Sequence, residues 1–341
     1  MQQPPNQSPK QLPDPSPDSP PDQPHLSVLE DVKVNPALIL GDHRSGTTLL
    51  YKILVETGCF NALRAYHVIN YDEILANYVQ QREDAASERL AVRFEQLGIG
   101  DRKIDQVAAT PALPEEYGFV LKNVAGDQSW ITSENLSVFQ QLCRKIQYIS
   151  DPTKPLLLKN PWDYSQFLQV RQLVPGAKFI FIHRHPVHVV NSKLKAARTI
   201  LSARSEYMAL LSTEYTEIFK RPIKRALLRF LYSNYFDSGV RQVSDPTVKA
   251  ATYFLENIDA LPEQSYCAVR YEDLCQSPEE TVQKILSFLG VETSCQVDYN
   301  ALIRPRKVEL LPEVKKQRDV LCQRLQSYLA YHRRCLLTER G

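Results

Sequence analysis

The sequence predicts an α/β fold: a P-loop-like central parallel sheet flanked by helices, with a helical insertion. Three observations carry this expectation. Short apolar runs of strand length, ALIL (37–40), LLLK (156–159) and KFIFIH (178–183), recur along the chain. Between the second and third lies SQFLQVRQLVPG, whose apolar residues recur at helical spacing and which closes at Pro175-Gly176. Strand, helix and strand in that order predict a βαβ unit, with parallel pairing and a right-handed crossover. Finally, a glycine-bounded loop, GDHRSGTT (41–48), leads from ALIL into Leu49, Leu50, Ile53 and Leu54, which again recur at helical spacing.

The remaining elements follow in chain order. Residues 1–28 are rich in Pro, Gln, Ser and Asp and poor in apolar side chains, so the expectation is a disordered Pro-rich tail. Its P-x-x-P-like spacings suit an SH3-type groove, but a solvated tail is the simpler reading. Residues 29–341 are expected to form a single domain ending in a helix. Residues 200–245 read as the helical insertion, broken at Pro222. Within it, FKRPIKRALLRFLYSNYF (219–236) sets five cations among aromatics. It reads as a solvated helix with a buried aromatic stripe, or else as a surface for a membrane or a lipid-like acceptor. CAVRY (267–271) predicts a further strand. Ser277, Pro278 and Glu280 predict a capped helix start with a capping box, and Gly290 its end.

Bulk properties narrow the function. Hydrophobic content of 43% and charged content of 23% suit a globular chain with a sizeable core. A formal net charge of +2 gives no electrostatic footprint for nucleic acid, so any basic site is local. The seven cysteines show no C-x-x-C spacing and are odd in number, which predicts reduced thiols in a cytoplasmic setting. No apolar run reaches the roughly 20 residues of a membrane span, and no secretory signal pattern opens the chain.

The loop GDHRSGTT has the glycine spacing of a nucleotide-hydrolysing P-loop, but Thr47 stands where the lysine would be and Arg44 lies upstream. A helix N-terminus still offers backbone N–H groups and about half a positive charge to an anion. Gly46 allows close approach, and Thr47 and Thr48 add hydroxyls. Arg44 adds a planar cation suited to an oxyanion. Taken alone, the loop is also readable as an ordinary turn into a helix.

Arg44-Ser45-Gly46-Thr47-Thr48-Leu49 resembles the 5′-phosphosulfate loop of sulfotransferases that use 3′-phosphoadenosine-5′-phosphosulfate (PAPS) as co-substrate. FIFIHRHPVHVVNSKLK is similar to the family's 3′-phosphate motif, with Arg184 at a strand end and Ser192 on the following helix. LLLKNP (156–161) resembles the segment whose lysine, here Lys159, reaches the donor in tyrosylprotein and related sulfotransferases. VRYEDLCQSPEETVQKILSFLGV resembles their strand–helix signature. The likeness runs in order over about residues 35–310. The R-K-G-x-x-G-D-W motif of the cytosolic aryl branch is missing, so the resemblance points to the carbohydrate and tyrosylprotein-like branch.

That resemblance implies sulfuryl transfer from PAPS, without a metal, to a hydroxyl (less readily an amine) on a small-molecule, carbohydrate or lipid-like acceptor. Arg44 and Lys159 would stabilise the charge that develops on transfer. Arg44, Ser45, Gly46, Thr47 and Thr48 would hold the 5′ end, and Arg184 and Ser192 the 3′-phosphate. Tyr271, Arg306 and Lys307 are further candidate donor contacts. For the general base the candidates are His67, by approximate position, and Glu115 or Glu116 in LPEEYGF (113–119). His183, His185 and His188 flank Arg184 but lack the carboxylate or cysteine that would complete a metal site. The alternatives are a P-loop kinase with a degenerate lysine and a non-catalytic nucleotide-binding module.

Overall fold

The computed structural model describes residues 20–104, 107–126, 128–293, 295–303 and 308–334. Among them, strands β1 (Ala37–Leu40), β2 (Asn61–Ala62), β3 (Leu156–Lys159), β4 (Lys178–His183) and β5 (Tyr266–Arg270) form a 5-stranded sheet in the order β2-β3-β1-β4-β5. All of its pairings are parallel. The α/β expectation holds, and three apolar runs became strands at the residues read from the sequence.

Successive side chains of a strand point to opposite faces, and the core divides accordingly. Leu38, Leu40, Leu158, Phe179 and Phe181 bury on one face, and Ala37, Ile39, Leu157, Ile180 and Ile182 on the other. The second face is covered by α1 (Thr47–Glu56), through Leu50, Tyr51, Ile53 and Leu54. In chain order the other helices used below are α2 (Ala65–Ile69), α3 (Leu136–Ile149), α4 (Phe167–Leu173), α5 (Pro186–Ser202), α6 (Pro222–Leu231), α7 (Ser238–Asn257) and α8 (Pro278–Leu289). Helices α3, α4 and α7 cover the first face, while α8 joins α1 on the second.

Four expectations need correction. The β3–α4–β4 segment is parallel, but its strands do not pair with each other. β1 lies between them, with Ile39 opposite both Lys159 and Ile180. A crossover therefore skips one strand, which brings β1 and its loop to the middle of the sheet. Next, α8 starts and ends where predicted, but Ser277 caps it without a side-chain hydrogen bond, so there is no capping box. Part of the expected tail is structured: Gln23–Leu29 is a 3-10 helix, and buried Asp22 pairs with buried Lys145 at 2.7 Å. Residues 1–19 lie outside the described residues.

The insertion differs most. The chain breaks at Pro222 as expected, but α7 runs straight through Pro246. Pro246 has no N–H to give the carbonyl of Gln242, and both residues line a cleft described below. Nor is the aromatic stripe of 219–236 buried. Helix α6 has no buried residue, and Ile223, Leu227 and Phe230 are exposed.

Candidate active site

The loop between β1 and α1 gets its shape from two left-handed residues, Arg44 at φ 72° and Gly46 at φ 107°. The latter position needs glycine for a second reason. A Cβ on Gly46 would lie 2.3 Å from Cδ2 of Tyr271, so the loop rests directly on that ring. Below the turn, Asp42 accepts from Lys193 Nζ at 2.6 and 2.7 Å, and Lys193 also donates to Thr247 Oγ1 at 2.8 Å. This ties the loop to α5 and α7. Thr47 opens α1, so the helix N-terminus points its free N–H groups into the turn.

β1 and β4 are neighbours with Leu40 opposite Phe181, so the segments leaving their C-terminal ends lie side by side. That adjacency joins two stretches far apart in sequence. Arg44 Nε donates to Ser192 Oγ at 3.1 Å, across 148 residues. Arg184 Nη1 donates to the Arg44 carbonyl at 3.2 Å, and its guanidinium lies 4.1 Å over the Tyr271 ring. Arg184 Nε is buried without a hydrogen-bond partner among the described residues; Ser45 Oγ is also unmet, but it packs beside Gly41 and Ser45 does not line the cleft described below. Buried polar groups are normally satisfied, so the unmet Arg184 Nε marks a place for a polar ligand.

On the other side of β1, Lys159 ends β3 fully buried. Its ammonium donates to Glu116 at 2.7 Å and to Thr48 Oγ1 at 3.0 Å. Glu116 runs beside Lys159 as an isolated parallel bridge, which fixes the pair through the backbone. Burial alone would raise the Glu116 pKa, but Lys159 and Arg102 outweigh it and hold the carboxyl at about 2. Asp163, bonded by Tyr117, Asn160 and the Ile131 N–H, braces the turn that follows Lys159.

Arg44, Thr48, Glu116, Arg184, Ser192 and Tyr271 all line one cleft of about 1030 Å³, as do Gly46 and Thr47. Lys159 reaches it only through Thr48 and Glu116. Two base candidates are not brought there. His67 is buried in α2, where its Nδ1 accepts from the Arg64 N–H and so caps the helix start, and burial lowers its pKa to about 3. Glu115 points instead to Arg102, at 3.2 Å, and accepts from Tyr207 at 2.6 Å. Its burial raises its pKa, and Arg102 only partly offsets that. Arg306 and Lys307 lie outside the described residues.

Sequence reasoning missed three residues of the cleft. His43 sits inside the loop 41–48, edge-on to Trp162 at 5.0 Å, with its pKa lowered to about 4 by burial and then by Lys193. Its only sequence signal was its place beside Arg44. Lys193 and Arg102 gave none, because nothing local in the sequence marks Asp42 and Glu115 as their partners. Of the histidines around Arg184, His183 is buried against Tyr328, and no group of three His, Cys, Asp or Glu among the described residues could hold a metal ion. No helix among the described residues is long and apolar enough to cross a membrane.

A family model described as "Sulfotransferase family" matches residues 36–294. This chain belongs to the sulfotransferase family. Among solved structures it is similar to the sulfotransferase STF9 from Mycobacterium avium, at 16% identity, over 91% of this chain and 80% of that one, with a TM-score of 0.59. It is also similar to the sulfotransferase STF1 from Mycobacterium tuberculosis, at 15% identity, over 88% and 79%, with a TM-score of 0.53. No curated protein matches it by sequence. At these identities the solved structures establish the fold.

Proposed function

We propose that this chain transfers a sulfuryl group from PAPS to a hydroxyl on an acceptor with an apolar body. The observation that carries the reading is the bond from Arg44 Nε to Ser192 Oγ. It joins a helix-N-terminal anion loop to a second basic stretch in one cleft wall. A nucleotide with anionic groups at both its 3′ and 5′ positions uses two such stretches, whereas a triphosphate needs the first alone. The unmet Arg184 Nε supports the same ligand. When bound, PAPS supplies the sulfuryl group and departs as adenosine 3′,5′-bisphosphate.

In this reading the loop amides, Thr47 and Thr48 hold the 5′ end, while Arg184 and Ser192 hold the 3′-phosphate over Tyr271. Lys159 and Arg44 offset negative charge that builds near Thr48. Glu116 takes the hydroxyl proton. It is a carboxylate at neutral pH, and its Oε2 has no hydrogen bond among the described residues. Charge building beside Thr48 competes with Glu116 for Lys159, which raises the basicity of Glu116 when it is needed. Phe119, Trp162, Ile200 and Met208 line the rest of the cleft, which suits an aromatic or lipid-like alcohol better than a free sugar.

Radiolabelled PAPS incubated with the protein and a mixed metabolite extract tests the proposal, with the product identified by mass. A labelled product that requires the protein supports it. Tight binding of adenosine 3′,5′-bisphosphate without turnover on a broad acceptor panel would mean a binding module. ATP-dependent transfer abolished by EDTA would mean a kinase.

A further inference from the structure

We propose that the outward face of α6, with the turn that follows it, is a docking surface for an anionic lipid bilayer. This is independent of the group transferred in the cleft.

Five large apolar side chains stand out in solvent here: Ile223 (85% exposed), Leu227 (57%), Phe230 (54%), Tyr235 (63%) and Phe236 (85%). At about 100° per residue, Ile223, Leu227 and Phe230 fall within about 60° of one another, so they form one stripe along the helix. Phe230 and Tyr235 stack at 6.2 Å and carry the stripe into the turn.

The helix is held with this stripe outward by its inner side. Arg225 donates to the carbonyls of Leu201 and Ser202 at the end of α5, at 3.0 and 2.6 Å, and packs 4.5 Å over Phe219. In the turn, Phe236 and Asp237 both adopt left-handed backbone, at φ 53° and 54°. Neither is glycine, so the conformation is strained, and Arg241 braces it by donating to the Phe236 carbonyl at 2.7 Å. A strained, braced turn that ends with a phenylalanine in solvent is poorly explained by stability alone.

Charge selects the occupant. From Lys220 to Asn234 the chain has no acidic residue, and Arg221, Lys224 and Arg229 are exposed around the stripe. A basic helix with one apolar stripe is the arrangement that lies in a bilayer interface, apolar side chains inserted and cations at anionic headgroups. A second copy fits worse, because a two-fold contact through this face would set these cations against their own equivalents. Tyr232, just past α6, lines the cleft, so the docked face adjoins the cleft wall.

Sedimentation of the full chain with vesicles tests this. Expected is binding to vesicles of equal parts phosphatidylcholine and phosphatidylglycerol, little to phosphatidylcholine alone, and release near 1 M salt, where the screening length is about 3 Å. Leu227→Glu with Phe230→Glu, and separately Lys224→Glu with Arg229→Glu, should each weaken binding by roughly tenfold or more, with unfolding temperature unchanged. Phe236→Ser should weaken it too, which gives a readout from the turn should a helix variant misfold. Absent binding, equal binding to both vesicles, or a dimer that the Leu227→Glu, Phe230→Glu variant converts to monomer would each overturn the proposal.

Discussion

Lys159 Nζ lies 2.7 Å from Glu116 Oε1 with both side chains buried, in a chain that brings them together over 43 residues. A buried pair is strongly interdependent: removing one charge strands the other. Lys159→Met should therefore cost roughly 3–5 kcal/mol at neutral pH, read by urea unfolding. The acid limb of the stability curve should change as well. Glu116 is depressed from 4.5 to about 2, so in the wild type its contribution is present above pH 4.5 and lost as pH falls through about 2. Without Lys159 that loss should vanish. An unchanged acid limb would mean the pair is not coupled as described.

His67 and His183 should show a different acid dependence. Burial lowers both from 6.5 to about 3, so each favours the fold while neutral. That stability is fully present above pH 6.5 and is lost as pH falls toward 3. His67→Ala should remove part of this dependence and cost about 1 kcal/mol as a lost cap, measured by unfolding at several pH values. Binding of adenosine 3′,5′-bisphosphate should be unchanged. A large loss of affinity would return His67 to the site.

Gly46→Ala should abolish binding of adenosine 3′,5′-bisphosphate by calorimetry. The new Cβ meets Tyr271, and the backbone at φ 107° is itself unfavourable to a side chain. Adding Tyr271→Ala should therefore not restore binding. Full rescue by the double variant would show that the ring alone sets the requirement.

Arg184→Ala should weaken adenosine 3′,5′-bisphosphate by about ten- to hundredfold, as expected for loss of a charged hydrogen bond of roughly 1.5–3 kcal/mol. Adenosine 5′-phosphosulfate, which lacks the 3′-phosphate, should bind nearly as before. An equal loss for both ligands would place Arg184 at the 5′ end instead.

Much of this molecule is local in origin. Short apolar runs placed β1, β3 and β4, because a strand buried on both faces needs an unbroken apolar run and little else. The loop 41–48 was legible for the same reason: left-handed backbone and close approach demand glycine at fixed spacing. Asp42 with Lys193, Glu115 with Arg102 and Glu116 with Lys159 were not legible as pairs, since nothing local records which charge a residue will meet.

The sequence by itself determined the α/β class, the glycine-bounded loop between β1 and α1 and most of the cleft residues named above. Only the tertiary structure decided their grouping, because the order β2-β3-β1-β4-β5 sets which strand ends are neighbours. That order puts Arg44 against Ser192 and Lys159 against Thr48. It also leaves His67 in a helix cap, where its spacing from Arg44 could not reveal that it faces away from the cleft.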